Sequence, residues 1–393
     1  MTLRFLTSGE SHGRGFLVTV EGLPSGMPLG RSLLEEELAR RRRGFGRGPR
    51  MKLERDLLTI WGGVRDGVTT GAPLGISLEN SEWDKWRPAL DPEGVSPEAA
   101  ASRASSCPRP GHADLPGALK YGHGDLRNVI ERASARLTAA WTLAGTAARI
   151  LLAEVGVEVG GSVVSIGEEC LDPPAGEDEW KYSRSSDLGC PRSGDESRIA
   201  GGIRKAAEAG DTLGGTFLLR LKGLPAGVGS YVEWDRRLDG RLAAAIMSIP
   251  GIKGVEVGEG FRLAGLPGSR VHDEIFPGRC GPVRMSNRAG GLEGGMTNGE
   301  DVILRAAMKP IPTLRRPLRS VDLLTGQERE AHAERSDVCA VPAACVVGEA
   351  MAAWVAASAL AEQFGGDVMA DLAQRVEDYR NRMGRTFHGE PER

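Results

Sequence analysis

Arg109-Pro110-Gly111-His112-Ala113-Asp114, then Lys120-Tyr121-Gly122, Asp125-Leu126-Arg127 and Glu131-Arg132-Ala133-Ser134-Ala135-Arg136 form the densest run of chemistry in the chain. Between Arg109 and Arg136 lie five arginine or lysine side chains, two histidines and three carboxylates. Pro110, Gly111, Pro116, Gly117, Gly122 and Gly124 interrupt the first half, which therefore reads as loop. From about Asn128 to Val155, Ala and Leu recur at three- and four-residue spacing, the pattern of one long helix. A charged loop feeding an apolar helix either presents ligand-binding groups from a core element or is an ordinary solvated loop, and the stretch alone leaves both open.

The bulk composition narrows the classes. The chain has 393 residues, 40% apolar and 26% charged, with a formal net charge of −3. That describes a globular protein and argues against a dedicated nucleic-acid binder, though local patches stay open. Aromatic residues are scarce while glycine and proline are plentiful, so many tight loops are expected. The cysteines at 107, 170, 190, 280, 339 and 345 include no C-x-x-C pair; they read as reduced thiols, and no metal site is expected. No signal peptide is legible at the N-terminus, which points to the cytoplasm. Val338 to Ala361 resembles a membrane span in length, but Pro342, Glu349 and its many alanines favour a buried, closely packed helix.

Taken in order, Leu3–Thr7 and Gly15–Val20 read as strands flanking Ser8-Gly9-Glu10-Ser11-His12-Gly13. Glycine after His12 leaves its imidazole unshielded, although a lone loop histidine is ordinarily surface decoration. Residues 32–43 read as a helix capped by Ser32 with Glu35 as capping-box partner. The run Arg40 to Arg50, hinged by Gly44, Gly46 and Gly48, reads either as a nucleic-acid-binding tail or as an arginine loop folding over a small polyanion. Residues 57–61 and 62–80 read as strands, 81–106 as a surface loop with a short helix, and Val157–Ile166 as a strand. An irregular excursion over 170–195 is followed by helix 196–209, strand 215–221 and helix 236–248. Gly290 to Gly299 is too glycine-rich for a helix or long strand. Strand Val302–Met308 leads into Lys309-Pro310-Ile311-Pro312-Thr313, which offers backbone amides and a cation to a phosphate, or is a plain connection. Asp337 precedes the alanine-rich helix and is a candidate cap for its start. No composition break marks a linker, so one domain over 1–393 is expected, with residues from about 384 disordered.

These segments, with Gly48-Pro49-Arg50-Met51, Met247-Ser248-Ile249-Pro250, Lys253-Gly254-Val255-Glu256, Gly290-Gly291-Leu292-Glu293-Gly294-Gly295 and Arg335-Ser336-Asp337, resemble the chorismate synthase family across nearly the whole chain. The resemblance implies an α+β fold, a β-α-β sandwich with long helices packed between two antiparallel sheets. It implies a lyase that converts 5-enolpyruvylshikimate 3-phosphate to chorismate and phosphate by anti-1,4-elimination, dependent on reduced FMN. NADPH is an additional reductant in some members, and a homotetramer is the usual assembly. It assigns His12, His112 and Asp337 to catalysis, His12 at the phosphate, His112 near the flavin, and Asp337 behind the flavin nitrogen that takes the ring proton. It assigns FMN to Arg132, Ala133, Ser134, Pro250, Gly251, Gly294, Lys309, Pro310, Ile311, Pro312, Thr313 and Arg335, and NADP to Arg41 and Arg47. Ser11, Arg41, Arg47, Arg50, Arg109, Arg132 and Arg136 are the expected substrate ligands, arginines suiting the two carboxylates and the phosphate. The chain departs from the family pattern at Leu137, where Glu is common, at Trp141, where Arg is common, at Arg43, and at Pro250-Gly251. The changes at Leu137 and Trp141 should alter packing more than chemistry. Two other readings remain: a nucleic-acid binder using residues 40–50, and a flavin reductase without lyase activity.

Overall fold

Alternation of apolar and polar residues makes the first sheet one-sided. In the computed structural model, which describes residues 2–46, 57–278, 281–331 and 337–386, β1 (Arg4–Gly9), β2 (Gly15–Glu21), β3 (Leu57–Gly62) and β4 (Leu74–Glu79) pair antiparallel in the order β1-β2-β4-β3. Phe16, Val18 and Val20 of β2 are buried, while Leu17 and Thr19 point to solvent. The second sheet joins β5 (Glu158–Ile166), β6 (Glu169–Cys170), β7 (Gly215–Lys222), β8 (Ile252–Val257) and β9 (Val302–Met308) in the order β8-β9-β7-β5-β6, again antiparallel. Its central strand β7 is buried on both faces. Phe217, Leu219 and Leu221 join the main core, and Leu218 packs with Val164 and Trp180 of helix Glu177–Ser185 on the other side.

Helices α1 (Arg31–Arg42), α2 (Thr138–Glu154), α3 (Leu238–Met247) and α4 (Val341–Phe364) fill the space between the sheets. The layers run first sheet, α2, α4, second sheet, with α1 and α3 beside α4. This is the expected β-α-β sandwich. Small residues bring the two central helices together: a Cβ on Gly145 of α2 would lie 2.5 Å from the Ala350 Cα of α4. Alanine is an excellent helix former that leaves no bulk between backbones, which explains α4's composition. Among the described residues α4 alone is long and apolar enough to cross a membrane, and 94% of that window is buried inside the fold.

One group of charges lies inside these layers. Glu349 of α4, 3% exposed, accepts from Arg40 Nη1 and Nη2 at 2.9 Å each and from Arg149 Nη1 at 2.9 Å. Arg40 also donates to Glu37 at 2.7 Å. The guanidinium pair holds the Glu349 carboxylate at about 2 although burial alone would raise it; Arg40 is the main cause, with Arg149 and Arg184 behind it.

The elements differ from the sequence reading in five places. α1 starts at Arg31 and its cap, Gly30, makes no side-chain bond, so Ser32 does not cap it. The helix expected from about Asn128 to Val155 is three pieces, Arg127–Arg132, a 3₁₀ turn Ala135–Leu137, and α2. Ser134 breaks it by adopting extended backbone and accepting from the Arg136 N–H. The loop expected after Arg109 contains a helix, Asp114–Tyr121, with Pro116 in its first turn, where its missing N–H costs nothing. The irregular 170–195 excursion contains helix Glu177–Ser185. Asp337 does not cap α4, whose N-cap is Ala340, although Pro342 is in its first turn as expected. The final helix is Met369–Thr386, and the disorder expected from about residue 384 falls almost wholly outside the described residues.

Candidate functional site

The loop Gly9 to Gly13 leaves the first sheet at β1 and is tied to the segment that precedes α2. The Ser11 N–H donates to the Glu131 carbonyl at 3.1 Å, and Arg136 Nη1 donates to the Ser11 carbonyl at 2.7 Å. Asn80 Nδ2 donates to the Gly13 carbonyl at 3.0 Å. His12, only 7% exposed, is therefore not a surface histidine. Its Nδ1 lies 2.9 Å from Glu131 Oε1, and its ring stacks on Trp86 with centroids 4.1 Å apart.

The second histidine is held by a different device. Asp114, fully buried, accepts from Arg109 N at 3.0 Å, Nε at 2.8 Å and Nη2 at 3.0 Å, closing Arg109-Pro110-Gly111-His112-Ala113-Asp114 into a compact turn. Burial alone would raise the Asp114 carboxyl, but Arg109 outweighs it and holds it low. Gly111 takes φ +79°, and a Cβ there would lie 2.9 Å from Pro312 Cβ, so glycine lets the turn sit against the segment after β9. Lys309 Nζ donates to the Gly111 carbonyl at 2.7 Å, and Thr313 Oγ1 is 3.1 Å from His112 Nε2. Burial, then the Arg109 charge, pushes His112 down to about 4, so its ring is neutral at pH 7.

These two loops face one another across a cavity of about 590 Å³, within the usual range for a small-molecule site. Ser11, His12, Arg41, Arg109, His112, Ala133, Ser134, Arg136, Pro250, Gly251, Lys309 to Thr313 and Asp337 all line it, although they span more than 320 positions of sequence. Its apolar wall comes from Ile130, Met247, Ile249, Ile252, Met308 and the first two turns of α4. Five cationic side chains (Arg41, Arg109, Arg136, Lys253, Lys309) oppose two carboxylates (Asp114, Asp337), a balance of +3 in a chain whose formal net charge is −3. Arg41, 6% exposed, donates from Nε to Thr138 Oγ1 at 2.9 Å and from Nη2 to the Ala135 carbonyl at 3.1 Å. Asp337 is placed by its neighbour Val338, whose N–H donates to the Gly46 carbonyl and whose carbonyl accepts from Leu213 N–H.

Against known proteins, the sequence profile described as chorismate synthase matches residues 3–361. The chain belongs to the chorismate synthase family. It is 52% identical over 379 residues to the chorismate synthase of Moorella thermoacetica, covering 96% of this chain and 98% of that one. It is 50% identical over 383 residues to that of Desulforamulus reducens, again covering 96% and 98%. A crystal structure of chorismate synthase superposes with TM-score 0.79 at 38% identity, covering 98% of this chain and 99% of the other. The family is one of enzymes, and the sandwich fold is the one its crystal structure shares.

Some expected ligands of this family lie elsewhere. Arg132 does not line the cavity: its guanidinium donates to the carbonyls of Thr7 at 2.9 Å and Gly9 at 3.0 Å, holding the end of β1. Gly294 is exposed in the turn of a small hairpin, between Leu292–Glu293 and Met296–Thr297, and is not part of the cavity wall. Arg47, Arg50 and Arg335 lie outside the described residues. Conversely, Lys253 and Met308 line the cavity without having been singled out; Lys253 was visible only inside a family motif with no role attached. Glu131 and Trp86 were missed because their partner is His12, far away in sequence. Leu137 and Trp141, the departures from the family pattern, pack against the main core. The described part of the arginine run is not an open tail, since Arg40 is buried on Glu349 and Arg41 is in the cavity wall.

Proposed function

We propose that this protein converts 5-enolpyruvylshikimate 3-phosphate to chorismate and phosphate by anti-1,4-elimination, with reduced FMN as cofactor, at the end of the shikimate pathway. The observation that carries the reading is the convergence on one cationic cavity of both histidines, Asp337 and the Lys309–Thr313 segment. The donor set fits a flavin mononucleotide: an apolar wall suits a ring system, while Lys309 and the backbone of 133–135 and 309–313 suit its polar groups and phosphate. Ala133, Ser134, Pro250, Gly251 and Lys309 to Thr313 are the residues that would hold it. When bound, reduced FMN supplies electron density to the substrate ring as the allylic C–O bond to phosphate breaks.

The chain's own residues do the rest. Arg41, Arg109, Arg136 and Lys253 desolvate and orient the substrate's carboxylates and phosphate, which water would otherwise hold. His12 donates a proton to the departing phosphate, turning a poor leaving group into a better one. Neutral His112 offers hydrogen bonds beside the flavin without adding charge. Asp337 serves proton removal from the ring. NADPH as internal reductant would use Arg41 with Arg47, and a cytoplasmic homotetramer is the assembly we infer.

The test is anaerobic phosphate release with photoreduced FMN, run with and without NADPH. Release that depends on reduced flavin is expected; rates equal to a no-flavin control overturn the reading. Bleaching of FMN by NADPH alone, without phosphate release, would identify a flavin reductase instead.

A further inference from the structure

We propose that Glu131 is a positioning residue for His12, fixing which ring nitrogen is presented to the ligand. This rests on the reading that His12 protonates the leaving phosphate.

Glu131 is buried, its side chain 1% exposed, and its carboxylate is aimed at His12 twice. Oε2 accepts from the His12 backbone N–H at 2.6 Å, and Oε1 and Oε2 lie 2.9 Å and 3.0 Å from His12 Nδ1. An ionised carboxylate can only accept, so Nδ1 must carry a proton whether the ring is neutral or cationic. Burial works against the ionised form of Glu131, but the His12 contacts and the charge of Arg127 outweigh it and hold its pKa low. Arg127 adds a contact of its own, from Nη1 to Glu131 Oε1 at 3.3 Å. With Nδ1 committed, Nε2 is the nitrogen left for the cavity that His12 lines.

The ring plane is fixed separately. Trp86 lies against His12 at 4.1 Å with the rings tilted by 34°, and Arg103 covers Trp86 at 4.3 Å from the ring centroid. Arg127 joins the two supports, since its Nε donates to the Arg103 carbonyl at 3.0 Å while its Nη1 reaches Glu131. Neither Glu131 nor Trp86 is among the residues lining the cavity, so both act through His12. In the step they support, the His12 Nε2–H bond breaks and a phosphate O–H forms. The ring ends neutral with its Nδ1 proton retained, and Glu131 stays ionised throughout.

Two measurements test this. The first needs no substitution: nitrogen-15 NMR of the folded wild-type protein labelled at histidine, with the His12 signal assigned by its loss in His12→Gln. The neutral His12 ring should be the Nδ1–H form; an Nε2–H form overturns the proposal whether or not the protein is active. The second compares phosphate release by wild type, Glu131→Gln and Glu131→Asp, each confirmed as folded by circular dichroism. Carboxylates that orient a functional histidine at metal sites are worth about 10- to 100-fold; by the same geometry Glu131→Gln should lower kcat by about that factor, with KM changed less than about threefold. Glu131→Asp, keeping the charge, should recover part of the loss. Glu131→Gln with wild-type kcat, or a loss confined to KM, overturns the assignment. An inactive wild type with an Nδ1–H His12 ring would instead refute the lyase reading and leave Glu131's hold on His12 standing.

Discussion

Replacing Glu349 by alanine removes the acceptor shared by Arg40 and Arg149 and leaves those guanidiniums facing each other across the helix layers. Three hydrogen bonds at 2.9 Å are lost, and the remaining carboxylate, Glu37, is already bonded to Arg40. Breaking a buried ion pair from one side costs about 3–5 kcal/mol, because the surviving charge has no water to return to. For a chain of 393 residues the unfolding entropy near the midpoint is about 0.8 kcal/mol/K, so the loss corresponds to a Tm lower by about 4–6 °C. Differential scanning calorimetry at pH 7 measures it, with Glu362→Ala as the control; that residue pairs with Arg241 at the surface and should shift Tm by less than about 1 °C. Acid supplies a second arm. The Glu349 carboxyl is held below its unfolded value, at about 2, so its stabilisation is present above pH ~4.5 and is lost as pH falls toward 2. The gap between wild type and Glu349→Ala should therefore narrow between pH 5 and pH 3. A Tm change under 1 °C at pH 7, or a gap that does not narrow in acid, would refute the reasoning.

Three further outcomes are expected. His112 is held neutral with its folded pKa lowered to about 4, so it favours the folded state above its unfolded value of 6.5 and loses that contribution as pH falls toward 4; that gap would be worth about 3 kcal/mol in a fully buried ring, and solvent screening of this half-buried one reduces it, so wild type should lose about 1–2 kcal/mol more than His112→Gln over that window in urea titrations. Gly145→Ala puts a methyl group into the Ala350 backbone and should destabilise by about 1–3 kcal/mol in the same titrations, whereas Gly201→Ala, with open space around it, should be neutral or stabilising. Arg136→Ala removes both a cavity cation and the 2.7 Å bond to the Ser11 carbonyl, so KM for the phosphorylated substrate should rise by about tenfold or more, read from initial phosphate-release rates.

Local pattern carried much of the architecture. β2, β7, β9 and the two central helices follow from alternation, β-branched runs and an alanine-rich apolar stretch, all of them short-range signals. The misses have a common cause: a competing side chain or a partner remote in sequence. Ser134 reads as a tolerable helix residue until its hydroxyl is seen taking the Arg136 N–H. Arg40 reads as one more arginine of a ligand loop, yet both its terminal nitrogens are bonded to Glu349, 309 positions away. Most site residues were legible because short motifs carried the resemblance. Glu131 was inside such a motif, but nothing near it in sequence says that its carboxylate belongs to His12. Trp86 had no signal, since a tryptophan in a polar, proline-containing segment reads as surface.

The cavity draws its walls from residues 11–138 and again from 247–347, while β5 and β7, which come between in sequence, contribute none of it. On the ribosome, no ligand can find its complete site until the start of α4 has emerged and docked, so neither substrate nor cofactor can act as an early template for folding. Once formed, the site is a clasp between the two ends of the fold. A ligand that binds only the closed arrangement stabilises it by RT ln(1 + [L]/Kd), and does so against separation of the halves instead of against fraying of one loop. Hydrogen exchange should register that clasp as slower exchange on both sides of the cavity at once, in the loops of 109–114 and of 309–313.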